Sequence, residues 1–263
     1  MVNSLQTPKE VLKIGLIGKY VELRDAYYSV REALCHAALA HNRAIHIEWI
    51  SSEDILEGQE DKLRHVQGII IPGGFGSRGI EGMVKAAHFA RENEIPYFGL
   101  CLGLHTMVIE FSRHVLNSQD VDSTEFNEGT RYPVIDLLPE QKTIDQKGGT
   151  MRLGTYPCRV MRATKAADAY GKEIIYERHR HRFEFNNDFR QPLENAGLIL
   201  SGLSPDGNLV EIVELQNHPW MLSCQFHPEF KSHPNEPHPL FMAFIEKSKN
   251  TLIEGSQTAL PIN

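Results

Sequence analysis

The sequence predicts an α/β fold, a three-layer sandwich with a central, mostly parallel sheet and an added β section. Two observations lead there. In the first half, short apolar runs alternate one by one with helical stretches, the pattern of βαβ units. In the second half, strand-like runs dominate. Right-handed crossovers then put helices on both faces of the sheet.

Leu12 to Gly18 (LKIGLIG) is a continuous apolar run and reads as a buried strand. Asp25 is placed to cap a helix reaching about His41, with Val30, Ala33, Leu34, Ala37 and Ala38 on one face. Ala44 to Trp49 is a second strand, and Val66 to Ile71 a third that ends at Pro72-Gly73-Gly74. Glu81 to Asn93 is helical in composition, Pro96 to Leu100 is a short strand, and a helix starts near Leu102 and runs to about His114. Further strands are expected over Met151–Val160, Ile174–Phe185, Leu198–Leu203, Leu209–Leu215 and Trp220–Phe226. Ser204-Pro205-Asp206-Gly207 is a turn, because Pro presets φ and Gly accepts a positive φ. Pro239 to Lys249 is a closing helix. The expected organisation is a lead-in over 1–11, one domain over 12–250 and a flexible C-terminal tail over 251–263.

The chain of 263 residues is 41% hydrophobic and 23% charged, with a net charge of -7. Such an acidic balance argues against nucleic acid as a partner. No apolar run is long enough to span a membrane, and the N-terminus lacks a secretory pattern. The four cysteines, Cys35, Cys101, Cys158 and Cys224, form no CxxC pair, which fits a reducing, cytoplasmic setting.

Chemistry concentrates in three places. Gly99-Leu100-Cys101-Leu102-Gly103 stands between a strand and a helix, the order of a nucleophile elbow with Cys in place of Ser. A helix N-terminus favours a thiolate, and the Leu102 N–H faces the charge that develops on attack. Alone, the pentapeptide is equally a buried structural cysteine in a Gly-containing turn. His227-Pro228-Glu229 follows the last apolar strand. It offers a base for the thiol and a carboxylate to orient that base; alone it reads as a surface loop. Pro72-Gly73-Gly74-Phe75-Gly76 follows a strand where open α/β sheets bind ligands. It is either an oxyanion loop or an ordinary Gly-rich turn, and the lack of a following GKS/T disfavours a nucleotide P-loop.

With these motifs the chain resembles the class I glutamine amidotransferases, and among them the glutaminase domain of the CTP synthases. The segments that carry the resemblance are KIGLIGKYVEL (13–23), PGGFGSRGIEG (72–82), IPYFGLCLG (95–103), STEF (123–126), GGTMRLG (148–154), ERHRHRFEFN (177–186) and FHPEF (226–230). The resemblance implies the flavodoxin-like fold of that class, with Cys101, His227 and Glu229 as triad. It implies an oxyanion hole of the Gly73 and Leu102 N–H groups, with Gly74 beside them, and Glu125 and Arg182 holding the amino-acid end of L-glutamine. In the family, ammonia passes to a separate synthetase domain that converts UTP to CTP with ATP and Mg2+, and GTP activates the glutaminase. No cofactor is therefore expected in this domain, and Arg78 is either a nucleotide contact or a solvated loop arginine. The synthetase half is not in the sequence. Oligomer contacts in the family lie mainly in that half.

One position departs from the family. His105 stands where a substrate-binding Gln is usual, one helical turn beyond Cys101. It implies weaker glutamine binding or another γ-glutamyl amide as substrate. A catalytically silent regulatory module is the rival from a different class. His179 and His181 alternate with Arg178, Arg180 and Arg182, so that on a strand the two kinds take opposite faces. A metal site there would need a third ligand such as His233 or His238, and no metal is expected. Cys35, Cys158 and Cys224 are read as structural.

Overall fold

The structure, a computed structural model, describes residues 9–137 and 151–251. The expected lead-in up to residue 8, the tail from 252 onward and residues 148–150 of the GGTMRLG segment lie outside the described residues.

The main sheet has nine strands in the order β2-β1-β3-β4-β12-β11-β10-β7-β8. Strands β1 (Val11–Gly18), β2 (Ala44–Ser51), β3 (Gly68–Ile71), β4 (Tyr97–Leu100) and β12 (Met221–Cys224) run parallel. Beyond β12, the strands β11 (Val210–Leu215), β10 (Leu198–Leu203), β7 (Arg152–Val160) and β8 (Ile174–His181) continue the sheet antiparallel. They are the added β section. The helices are α1 (Tyr28–Ala40), α2 (Ser52–Leu56), α3 (Ile80–Glu92), α4 (Leu102–Leu116), α5 (Lys165–Tyr170), α6 (Arg190–Asn195) and α7 (Pro239–Lys249).

Because strand side chains alternate between faces, each central strand feeds two cores. Ile69, Ile71 and Tyr97 join one cluster with Met83 and Ala87 of α3 and Leu104 and Met107 of α4. Ile70 and Phe98 join the other, with Leu34 of α1 and Phe241 and Phe244 of α7. Phe98 meets Phe241 edge-on at 5.1 Å between ring centroids. The five residues assigned to the inner face of the first helix are the buried ones, and the 204–207 turn forms, with Gly207 at φ 77.

Two expectations need correction. Asp25 does not cap α1. It lies inside a 3-10 turn over Arg24–Tyr27, and Tyr27 is the capping position, with no side-chain bond. The run Ile174–Phe185 is not one strand. It breaks at Arg182 into β8 and β9 (Phe183–Phe185), and β9 joins β5 (Val121–Ser123) and β6 (Tyr132–Leu137) in a separate three-stranded sheet. Before the break the alternation holds, with His179 and His181 buried and Arg178 and Arg180 exposed.

Candidate active site

The three motifs converge because their strands are neighbours. β3, β4 and β12 lie side by side and parallel, with Ile71 opposite Gly99 and Leu100 opposite Cys224. Their carboxyl ends therefore deliver Gly73, Cys101 and His227 to one edge of the sheet, where open α/β folds place ligands.

Cys101 bridges β4 and α4 at φ 52 and ψ -96. A positive φ outside glycine stores roughly 1–3 kcal/mol and persists only where the surroundings impose it. Here the Cys101 N–H donates to the Cys224 carbonyl at 2.8 Å, while the Cys101 carbonyl accepts from Leu104 N at 3.0 Å. The flanking glycines permit this approach. A β-carbon on Gly103 would collide with the Ile71 carbonyl, and one on Gly99 with Ser223. Cys101 as a whole is buried, 4% exposed. Leu102 is the first residue of α4, so its N–H has no acceptor within the helix.

His227 follows β12 with its N–H tied to the Arg178 carbonyl at 2.8 Å. Its Nδ1 pairs with Glu229 Oε1 at 2.8 Å, and Glu229 is buried. Pro228 opens a 3-10 turn that carries Glu229 back beneath the ring. Burial pulls the His227 pKa down. The charge and hydrogen bond of Cys101, and then those of Glu229, outweigh it and push the value up to about 10. His227 is thus held as an imidazolium beside the Cys101 sulfur. Gly73 completes the cluster: a β-carbon there would lie 2.7 Å from His227 Cε1 and 3.6 Å from Cys101 Cβ. On Gly74 it would meet Leu102 Cδ2 at 3.1 Å.

Glu125 reaches the same loop, accepting from Gly76 N at 3.3 Å. Burial raises its pKa, against the Gly76 N–H and the charges of Lys19 and Arg182. Arg182 stands at the break between β8 and β9, with its Nε buried and without a hydrogen-bond partner. Arg78, in contrast, is engaged on the surface in a two-point pair with Glu53 at 2.9 and 2.7 Å. His105 is 3% exposed, and its Nε2 contacts Gln225 Oε1 at 3.0 Å.

Two residues of this site were not singled out from the sequence. Lys19 is buried beside the glycine loop and donates from Nζ to the carbonyls of Phe75 (3.1 Å) and Gly76. Burial lowers its pKa to about 8, against the charge of Glu125. Its place just beyond β1, next to β3, was the available signal. Gln225, which donates to Cys101 Sγ at 3.8 Å, sits two residues before His227. Among the described residues no group of three or more His, Cys, Asp or Glu side chains is placed to hold a metal ion. His238 instead bonds Glu177 at 3.1 Å.

A family model of class I glutamine amidotransferases matches residues 22–247. The chain belongs to the class I glutamine amidotransferases. Within this class, it is 60% identical over its whole length to the CTP synthase of Dehalococcoides mccartyi, and 56% identical to that of Thermomicrobium roseum. It spans about half the length of these curated relatives, 48% and 47%. Among solved structures it resembles the glutaminase domain of Trypanosoma brucei CTPS, determined with bound acivicin. That likeness has a TM-score of 0.86 at 33% identity, and covers 95% of this chain and 98% of that one. The amidotransferase fold expected from the sequence is the fold observed. Among the described residues no helix is long and apolar enough to cross a membrane.

Proposed function

We propose that this amidotransferase chain is the glutaminase domain of a CTP synthase, with residues 12–250 as the working unit, hydrolysing L-glutamine to glutamate and ammonia. The observation that carries the reading is the convergence of a strained Cys101, the His227–Glu229 pair and a glycine loop with no room for a side chain at Gly73. Packing alone gives no reason to unite these three.

In this reading the Cys101 thiolate attacks the carboxamide carbon. The developing oxyanion is met by the N–H groups of Gly73 and Leu102, with Gly74 keeping the loop close to Leu102. The imidazolium of His227 gives its proton to the departing nitrogen, ammonia leaves, and a thioester remains. Neutral His227 then takes a proton from water as the water attacks the thioester, and glutamate is released with the thiolate restored. Glu229 holds the ring and balances its charge. Glu125 and Arg182 oppose the α-ammonium and α-carboxylate of the substrate. The ammonia aminates UTP in a synthetase domain, to which ATP and Mg2+ belong, and GTP is the expected activator.

The test is ammonia release from L-glutamine, with and without GTP and a synthetase domain supplied in trans, beside Cys101→Ala. A thiol-reactive glutamine analogue should add one label, at Cys101. Undiminished turnover by Cys101→Ala would sink the mechanism.

A further inference from the structure

Cys101 Sγ has a neighbour that the triad does not include. Gln225 is fully buried, and its backbone N–H is fixed to the Glu211 carbonyl at 2.8 Å. Its side-chain Nε2 points at Sγ at 3.8 Å, a reach suited to the large sulfur atom. At the other end of the same amide, Oε1 faces His105 Nε2 at 3.0 Å.

The orientation of that amide follows from His105. Burial lowers the His105 pKa to about 4, against the Gln225 hydrogen bond and a weaker contact to the Phe183 backbone, so the ring is neutral at pH 7 and carries one N–H. Its Nε2 makes the short, aligned contact to Gln225, while its Nδ1 meets no acceptor in bonding geometry, so the proton is placed on Nε2, facing Gln225. A donor at that end fixes the carbonyl of Gln225 toward His105. Only the NH2 end is then left to face sulfur, since a flipped amide would set N–H against N–H.

We propose that Gln225 is a positioning residue that stabilises the Cys101 thiolate through its amide N–H, and that His105 acts through it by fixing the direction of that amide. This rests on the reading of Cys101 as nucleophile. It gives His105 a task behind the nucleophile rather than on the substrate. A thiolate that accepts an N–H is favoured over the thiol. The gain in thiolate fraction exceeds the loss of intrinsic nucleophilicity wherever the thiol form predominates.

The test is the pH profile of Cys101 alkylation by iodoacetamide, read on the Cys101 peptide by mass spectrometry so that half-buried Cys35 does not interfere. The other titratable groups around the thiol, His227, Glu229 and Cys224, are the same in every variant. Gln225→Met keeps the volume and removes the donor. Its profile should move up by about one pH unit, with a roughly tenfold slower reaction on the acid limb, where the thiol predominates. Gln225→Glu, which turns a carboxylate to the sulfur, should move it further. His105→Leu should move it in the same direction, and should add nothing in the Gln225→Met background. A Gln225→Met or Gln225→Glu profile that overlays the unmodified protein overturns the proposal. So does a His105→Leu shift of full size in the double variant, because His105 would then act independently. Failure of the nucleophile reading looks different: in the unmodified protein Cys101 would react no faster than Cys35 at any pH.

Discussion

The α-carbon of Gly73 packs so close to the imidazole of His227 that a β-carbon at position 73 would stand 2.7 Å from Cε1. The same atom would lie 3.6 Å from Cys101 Cβ, so the loop and the ring are set against each other across the nucleophile. Gly73→Ala must displace the ring or the loop. Misplacement of about 1 Å at a reacting centre costs on the order of a hundredfold in rate. The expected outcome is a fall of that size in kcat/KM for glutamine hydrolysis, with a thermal midpoint near that of the unmodified protein. Full activity in Gly73→Ala would show that the loop does not meet the oxyanion.

The His227 imidazolium depends on its neighbours, first Cys101 and then Glu229. Its folded pKa of about 10 lies above the ordinary value of 6.5. The stabilisation it brings is therefore fully present below pH 6.5 and is lost as pH rises through about 10. Cys101→Ala removes the main source of that shift. NMR titration of the His227 ring should show a midpoint near 10 in the unmodified protein and one several units lower in Cys101→Ala, with Glu229→Gln falling between. A His227 midpoint that ignores Cys101 would break the coupling of base and nucleophile.

Much of the site was legible because chemistry and strand order coincide. Cys101, His227 and Gly73 each follow an apolar run, and parallel neighbours bring such ends together without further information. Glu125 and Arg182 came from the resemblance alone, for neither stands in a pattern that spacing interprets. The break at Arg182 was hidden because Phe183–Phe185 continues the strand composition of β8 while pairing in another sheet. Lys19 and Gln225 escaped notice for a simpler reason. Their roles lie in contacts across 56 or more positions of the chain, Lys19 to Phe75 and Gly76 and Gln225 to Cys101 and His105.

Arg182 and Glu125 should affect binding more than chemistry. Arg182 Nε is buried without a partner, a costly state unless a ligand anion completes it. Glu125 is tied to the glycine loop and opposed by the charge of Arg182. Loss of one hydrogen bond to a charged group costs about 1.5–3 kcal/mol, roughly ten- to a hundredfold. Arg182→Met and Glu125→Gln should each raise KM for glutamine by about that factor, with a smaller change in kcat. Steady-state kinetics decide the matter, and an unchanged KM in either variant removes that residue from the substrate site.

Behind the site, Arg152 serves two buried carboxylates at once. Its Nη1 stands 2.7 Å from Glu211 Oε1 and 3.6 Å from Glu184 Oε1, and its guanidinium lies 4.6 Å over the Tyr156 ring. The nearby histidines offer no replacement charge: burial, with the charge of Arg152, takes His179 down to about 2, and burial also holds His181 well below its usual range. Burial raises the pKa of Glu184 and Glu211 despite Arg152. A carboxyl whose folded pKa is raised contributes most below its unfolded value, near 4.5, and loses that contribution as pH climbs through the folded value. Arg152→Met would raise both carboxyls further and widen that loss. The expected cost is about 3 kcal/mol at pH 8 and clearly less at pH 5, where protonated carboxyls need no cation. Urea unfolding at the two pH values measures it. An equal loss at both would mean that Arg152 stabilises by packing on Tyr156 and not by its charge.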